Sequence, residues 1–154
     1  MTAPSNELLA SSLGEMLEEA AFIFTEPQDQ PPPFQGKAVE ARIGYQGPHT
    51  GELRLVADAG LAATLAANLL GEEEGDATQG KAGDAIGELL NMFVGVWVVK
   101  LFGEQSRCKL GVPKVRELPA AEAGAPVKGA ACAAHLIEEE GRRIDVSLTL
   151  TGGS

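Results

Sequence analysis

The 154-residue chain is 44% hydrophobic and 22% charged, which is long enough and apolar enough to bury a core as one domain over 1–154. A net charge of −10 and a pI near 4.6 argue against nucleic acid as the main partner and against an anionic lipid surface, since both need clustered Lys and Arg. Two histidines and two cysteines without a CxxC pair leave too few ligands for a metal cage; no signal-peptide pattern opens the chain and no apolar run approaches ~20 residues, so the expected setting is the cytoplasm with no membrane span.

The first element is a helix. "SNELLASSLGEMLEEAAFIF" opens on a Ser/Asn cap and carries Leu9, Leu13, Met16, Leu17 and Ala20 at helical spacing. "TEPQDQPPPFQG" breaks it. "KAVEARIGYQ" alternates Val39, Ala41, Ile43 and Tyr45 on one face, "GPHTG" turns, and "ELRLVAD" alternates again, so 37–57 reads as a hairpin. Asp58 is the expected cap of a short helix, "AGLAATLAANLL", which Gly71 stops, and "GEEEGDATQG" is an acidic loop. A long helix then spans 80–102 and ends at Gly103. "SRCKLGVPKV", "APVKGAACAAHLI" and "RRIDVSLTL" are strand candidates, the last two joined by the turn "EEEGRR". Helices followed by strands joined through short turns give an α+β fold, with long helices packed on a mostly antiparallel sheet.

The first helix and the long helix resemble each other. "SSLGEMLE" aligns without gaps on "DAIGELLN", placing Ser11 on Asp84, Gly14 on Gly87, Glu15 on Glu88 and Glu18 on Asn91. A duplication of this kind predicts pseudo-symmetric halves with the two helices as counterparts.

The long helix holds Asp84, Glu88 and Asn91 in an otherwise apolar run. At about 100° per residue, Glu88 lies roughly 40° and Asn91 roughly −20° from Asp84, so the three form one narrow stripe. Ile86, Leu89, Leu90, Phe93 and Trp97 fall on the opposite, core-facing side. Gly95 continues the stripe and Gly87 borders it; an interior glycine weakens a helix, and a bare backbone can admit another protein's chain closely. Trp97 reads as core, Cys132 as packing, and His135 as a strand-surface or satisfied core residue rather than a catalyst. "GRR" at 141–143 reads as a basic turn able to touch an acidic partner.

The pattern D-x3-E-x2-N, preceded by "LAANLLGEEEGD" and followed downstream by Pro113, resembles the chemotaxis phosphatase family of CheC, CheX and FliY, and is most similar to the CheX branch. The resemblance implies a hydrolase acting on a phosphorylated CheY-like response regulator in chemotaxis or another two-component pathway. It implies that Glu88 pairs with the partner's active-site lysine and that Asn91 enters the partner's site to orient the attacking water. Asp84, Gly87 and Gly95 then face the partner. No cofactor belongs to this chain, Mg being expected in the partner receiver domain. The first-helix copy ends in Glu18 rather than an amide, so one working site is expected and one vestige. Family members of this branch form homodimers, which the sequence itself does not show. The alternative is a non-catalytic module that docks a receiver domain or a flagellar partner.

Overall fold

The computed structural model describes residues 2–70 and 79–151. Helix α1 (Asn6–Ala21) starts where Ser5, in extended conformation, accepts the Leu8 amide at 3.0 Å. It ends at Phe22, whose left-handed backbone (φ 54°) lets its amide bond back to the Glu18 carbonyl; glycine usually takes this position. There follow β1 (Thr25–Pro27), the hairpin β2 (Ala38–Gln46) and β3 (Thr50–Asp58), and α2 (Ala59–Leu70). Next come α3 (Gln79–Phe102), β4 (Lys109–Leu110), β5 (Lys114–Leu118), α4 (Ala120–Ala123), β6 (Cys132–Glu138) and β7 (Arg143–Thr151).

All strand pairings among the described residues are antiparallel, in the order β1-β6-β7-β3-β2-β4, with β5 also on β2. The order is a palindrome of two units, α1-β1-β2-β3 and α3-β5-β6-β7. Their last strands, β3 and β7, pair at the centre from Thr50↔Thr151 to Ala57↔Ile144. Each short edge strand crosses to the other unit, β1 onto β6 and β5 onto β2. Each long helix does the same, α1 packing on β6 and α3 on β2. The duplication expected from the two helix motifs is therefore present in the topology.

Helices α1, α2 and α3 cover one sheet face. Alternating residues Val39, Ala41, Ile43 and Tyr45 of β2 and Leu53, Leu55 and Ala57 of β3 meet Leu13, Leu17, Ile86, Leu90, Phe93 and Trp97 in one core. Deep in it the Trp97 indole donates to the Tyr45 hydroxyl (3.4 Å), which also meets His49 Nε2 at 2.7 Å. The other face carries a smaller apolar cluster of Phe34, Ala38, Val56, Leu118 and Ala123, and beside it a buried carboxylate, Glu40. Arg54 (2.6 Å), Arg116 (2.7 Å) and Arg42 (3.2 Å) all donate to Glu40. Burial alone would raise its pKa, but these donors outweigh burial and hold it at about 2.

Several local expectations change. Asp58 closes β3 and does not cap α2; its carboxylate accepts the backbone amides of Gln35 (3.0 Å) and Arg143 (2.8 Å), tying three distant segments together. Arg143 is not a surface cation of the 141–143 turn. It is buried, forks onto Asp145 at 2.8 Å through two nitrogens, and lies 4.5 Å over the Phe34 ring. The strand β1 lies inside the segment that reads as a breaker. The acidic loop and Gly71 fall, except for its last two residues, outside the described residues. Lys81–Phe102 does prove long and apolar enough to cross a membrane by length and composition, because core-facing residues and small or apolar surface residues share one helix; here it is the central core helix.

Candidate active site on the long helix

Asp84, Glu88 and Asn91 are all solvent-exposed, while Ile86, Leu89, Leu90, Phe93 and Trp97 are fully buried. The helical period thus sorts α3 as the sequence indicates. Neither Glu88 nor Asn91 has a side-chain partner among the described residues, so a carboxylate and a neutral amide stand open to solvent on a rigid helix. No group of three or more His, Cys, Asp and Glu able to hold a metal occurs among the described residues.

Two neighbours frame the stripe. On one side α3 meets the edge strand β5 through a glycine notch. A Cβ at Gly83 would lie 3.1 Å from Val115 Cγ1, and one at Gly87 would lie 3.2 Å from Val115 Cγ2 and 3.8 Å from Pro113 Cβ. The close approach that Gly87 permits is therefore internal: it is buried against its own chain and not open to a partner. The same contact brings Pro113 next to the motif helix, at the place where the sequence pattern names a proline. Gly95 differs. A Cβ there would meet nothing within 4 Å, so packing inside this chain does not require its bare backbone.

On the other side lies α1. Lys100 Nζ of α3 donates to Ser12 Oγ (3.1 Å) and lies 3.4 Å from Glu15 Oε2. Glu15, the counterpart of Glu88, is thus engaged within the chain. Ser11 and Glu18 are exposed. Beside this copy a cleft of about 750 Å³ opens along Ala10, Ser11, Gly14, Thr25 and His135. His135 Nδ1 sits 3.1 Å from Asp145 Oδ1 on the lining of this cleft but makes no hydrogen bond among the described residues, so the ring is not the satisfied histidine the sequence suggests.

The sequence reading missed the part of β5 in the site and the role of Lys100. The first was hidden because Val115 lies on a five-residue, mostly exposed strand whose partner on α3 is an absence of side chain. A lysine in the last turn of α3 is an ordinary helix-end charge until α1 is placed beside it.

No curated protein sequence matches the chain. Among solved structures, CheX of Vibrio vulnificus superposes with a TM-score of 0.68 at 22% identity, over 90% of this chain and 92% of that one. The CheX–CheY–BeF3–Mg2+ complex of Borrelia burgdorferi gives 0.68 at 18% identity, over 97% and 99%. FliY of Thermotoga maritima gives 0.58 at 15%, over 98% and 92%. At these identities the likeness establishes a shared fold. The family described as chemotaxis phosphatase CheX matches residues 39–133, well over half of the sequence and including the whole stripe and Pro113, and the chain belongs to that family.

Proposed function

We propose that this protein is a cytoplasmic phosphatase for the aspartyl phosphate of a CheY-like response regulator. The observation that carries the reading is the exposed Glu88 and Asn91 pair on α3, unpartnered among the described residues, in a chain of the CheX family. A CheX neighbour in the same fold was solved bound to CheY with BeF3 and Mg2+, which supports the choice of partner.

An acyl phosphate is already activated, so catalysis needs little beyond placing water in line. In this reading Glu88 pairs with a lysine of the receiver and fixes its orientation. Asn91 enters the receiver's site, accepts from the attacking water through its carbonyl and stays uncharged beside the anionic phosphoryl group. Water adds to phosphorus, the bond from phosphorus to the aspartyl oxygen breaks, and inorganic phosphate leaves a free carboxylate. Mg2+ belongs to the receiver and supplies charge neutralisation there. Asp84 and Gly95 face the partner, and the homodimer implied by the resemblance belongs to the same reading.

The test is the decay of phosphate on candidate receiver domains with and without the chain. Accelerated decay that disappears in Asn91→Ala supports the proposal. Binding without acceleration assigns the protein to receiver docking alone.

A further inference from the structure

The three polar side chains of the stripe are far too few to hold a receiver, since a specific interface covers about 800 Å² on each partner. The surface beside them adds exposed apolar side chains among its charged ones. On the α1 side, Val96 and Val99 of α3 are 38% and 42% exposed, although this helix otherwise buries its large aliphatic side chains. Val96 and Met92 share a groove of about 330 Å³ with Met16 and Ala20 of α1. The Lys100 contacts to Ser12 and Glu15 set the spacing of its two walls. On the β5 side, Val112 is 80% exposed and Val115 42%. Val112 is held in place: its neighbour Gly111 donates to the Gly44 carbonyl at 2.8 Å, and Pro113 abuts Gly87.

We infer that these two apolar rims, Val96 with Val99 and Val112 with Val115, form the receiver-docking surface, with the Glu88–Asn91 chemistry set between them. The inference rests on the reading of Glu88 and Asn91 given above. The occupant follows from continuity. Gly95 is one turn, about 6 Å along the axis, beyond Asn91, and its bare backbone is open. Whatever reaches Asn91 with an aspartyl phosphate and extends along α3 crosses Gly95 and meets Val96 and Val99. Extending across the helix instead, it meets Val112 and Val115. Apolar side chains on rigid elements supply burial at little entropic cost, and the polar stripe supplies register.

The experiment uses the full chain and a beryllofluoride-loaded, Mg2+-bound receiver whose phosphate decay the chain accelerates. Binding is titrated and turnover measured for Val96→Lys, Val112→Lys and the milder Val96→Ser and Val112→Ser, with Asn91→Ala in parallel and thermal melts on all. The expected result is a fivefold or greater rise in Kd and KM for each lysine variant and a smaller rise for each serine variant, without a matching fall in kcat. Wild-type Kd and KM in folded Val96 and Val112 variants, with Asn91→Ala inactive, overturns this inference and leaves the phosphatase reading standing. Full turnover in Asn91→Ala overturns the water-orienting role of Asn91, and with it the site that the two rims are inferred to frame. Loss of a dimer in the lysine variants with unchanged receiver binding assigns the rims to a second copy of the chain, which also overturns the inference.

Discussion

Helices α1 and α3 occupy equivalent places in the two halves, on the same sheet face and each across the other half's second strand. Each buries one side and exposes a stripe built on a shared pattern. What separates them is the state of the stripe. In α3 the acid and the amide are unpartnered among the described residues. In α1 the corresponding acid, Glu15, lies 3.4 Å from Lys100, and Glu18 stands where α3 has Asn91. On the function proposed above, the helix-on-sheet scaffold keeps the geometry of a site in α1 without its chemistry, and only the availability of named side chains distinguishes the two stripes.

The largest expected effect separates the two amide positions. Asn91→Ala should lower receiver-stimulated turnover by about 10–1,000-fold, equivalent to about 1.4–4 kcal/mol of barrier, with an unchanged thermal melt. In that background Glu18→Asn should restore nothing, because Glu15 is still held by Lys100. Recovery of turnover would show that α1 lacked only its amide. Next come the acids. Glu88→Ala should weaken receiver binding and turnover together, while Glu15→Ala should leave both within twofold and cost at most about 1 kcal/mol of stability, as for any exposed pair. Equal losses from the two, at equal stability, would mean two working sites.

The glycines provide a smaller test. Gly95→Ala should raise stability by up to about 1 kcal/mol, since helix propensity improves and the methyl meets open space. Gly87→Ala should fall clearly below that, because its methyl must push Val115 back from 3.2 Å. Chemical denaturation of the two variants ranks them, and a reversed order would mean that β5 does not rest on the notch.

The last test is the pH dependence of stability. Glu40 is held at about 2 in the folded chain, below its ordinary 4.5, so its contribution is complete above that value and is lost as pH falls through 4.5 toward 2. Burial lowers the pKa of His49, so below about 6.5 the unfolded chain takes up a proton that the folded chain resists, and stability falls there too. Urea midpoints across pH 3–7 should therefore decline in two stages. Replacing Glu40 by Gln should flatten the lower one, and a midpoint independent of pH would remove both groups as determinants.

The period of 3.6 residues made the α3 stripe legible, as the period of two did for β2 and β3, because one face of each element meets the core. The two glycines could not be told apart by the same means. Gly87 and Gly95 look alike along the helix, and what distinguishes them is β5, which arrives from more than twenty residues away. Asp58 and Arg143 were misread for a related reason. Both belong to the second sheet face, which reads as solvent-facing in an alternating strand but is partly covered by Phe34, Leu118 and Ala123. The strand β1 is three residues long and ends in proline, too short for periodicity to reveal.

The palindromic sheet has a consequence for how the chain assembles. Its central pair joins β3 to β7, so Thr50 must find Thr151 across three helices and three strands. Closing such a loop costs entropy before any contact rewards it, which places folding in the slow range expected of high contact order. During synthesis the first half can form its hairpin and α1, but the place beside β3 stays empty until the nine residues of β7 emerge. Until then β3 presents an open, apolar strand edge, the kind of surface that invites pairing with a neighbouring chain. Deleting β7 should therefore give aggregation of the nascent product and not a smaller folded unit.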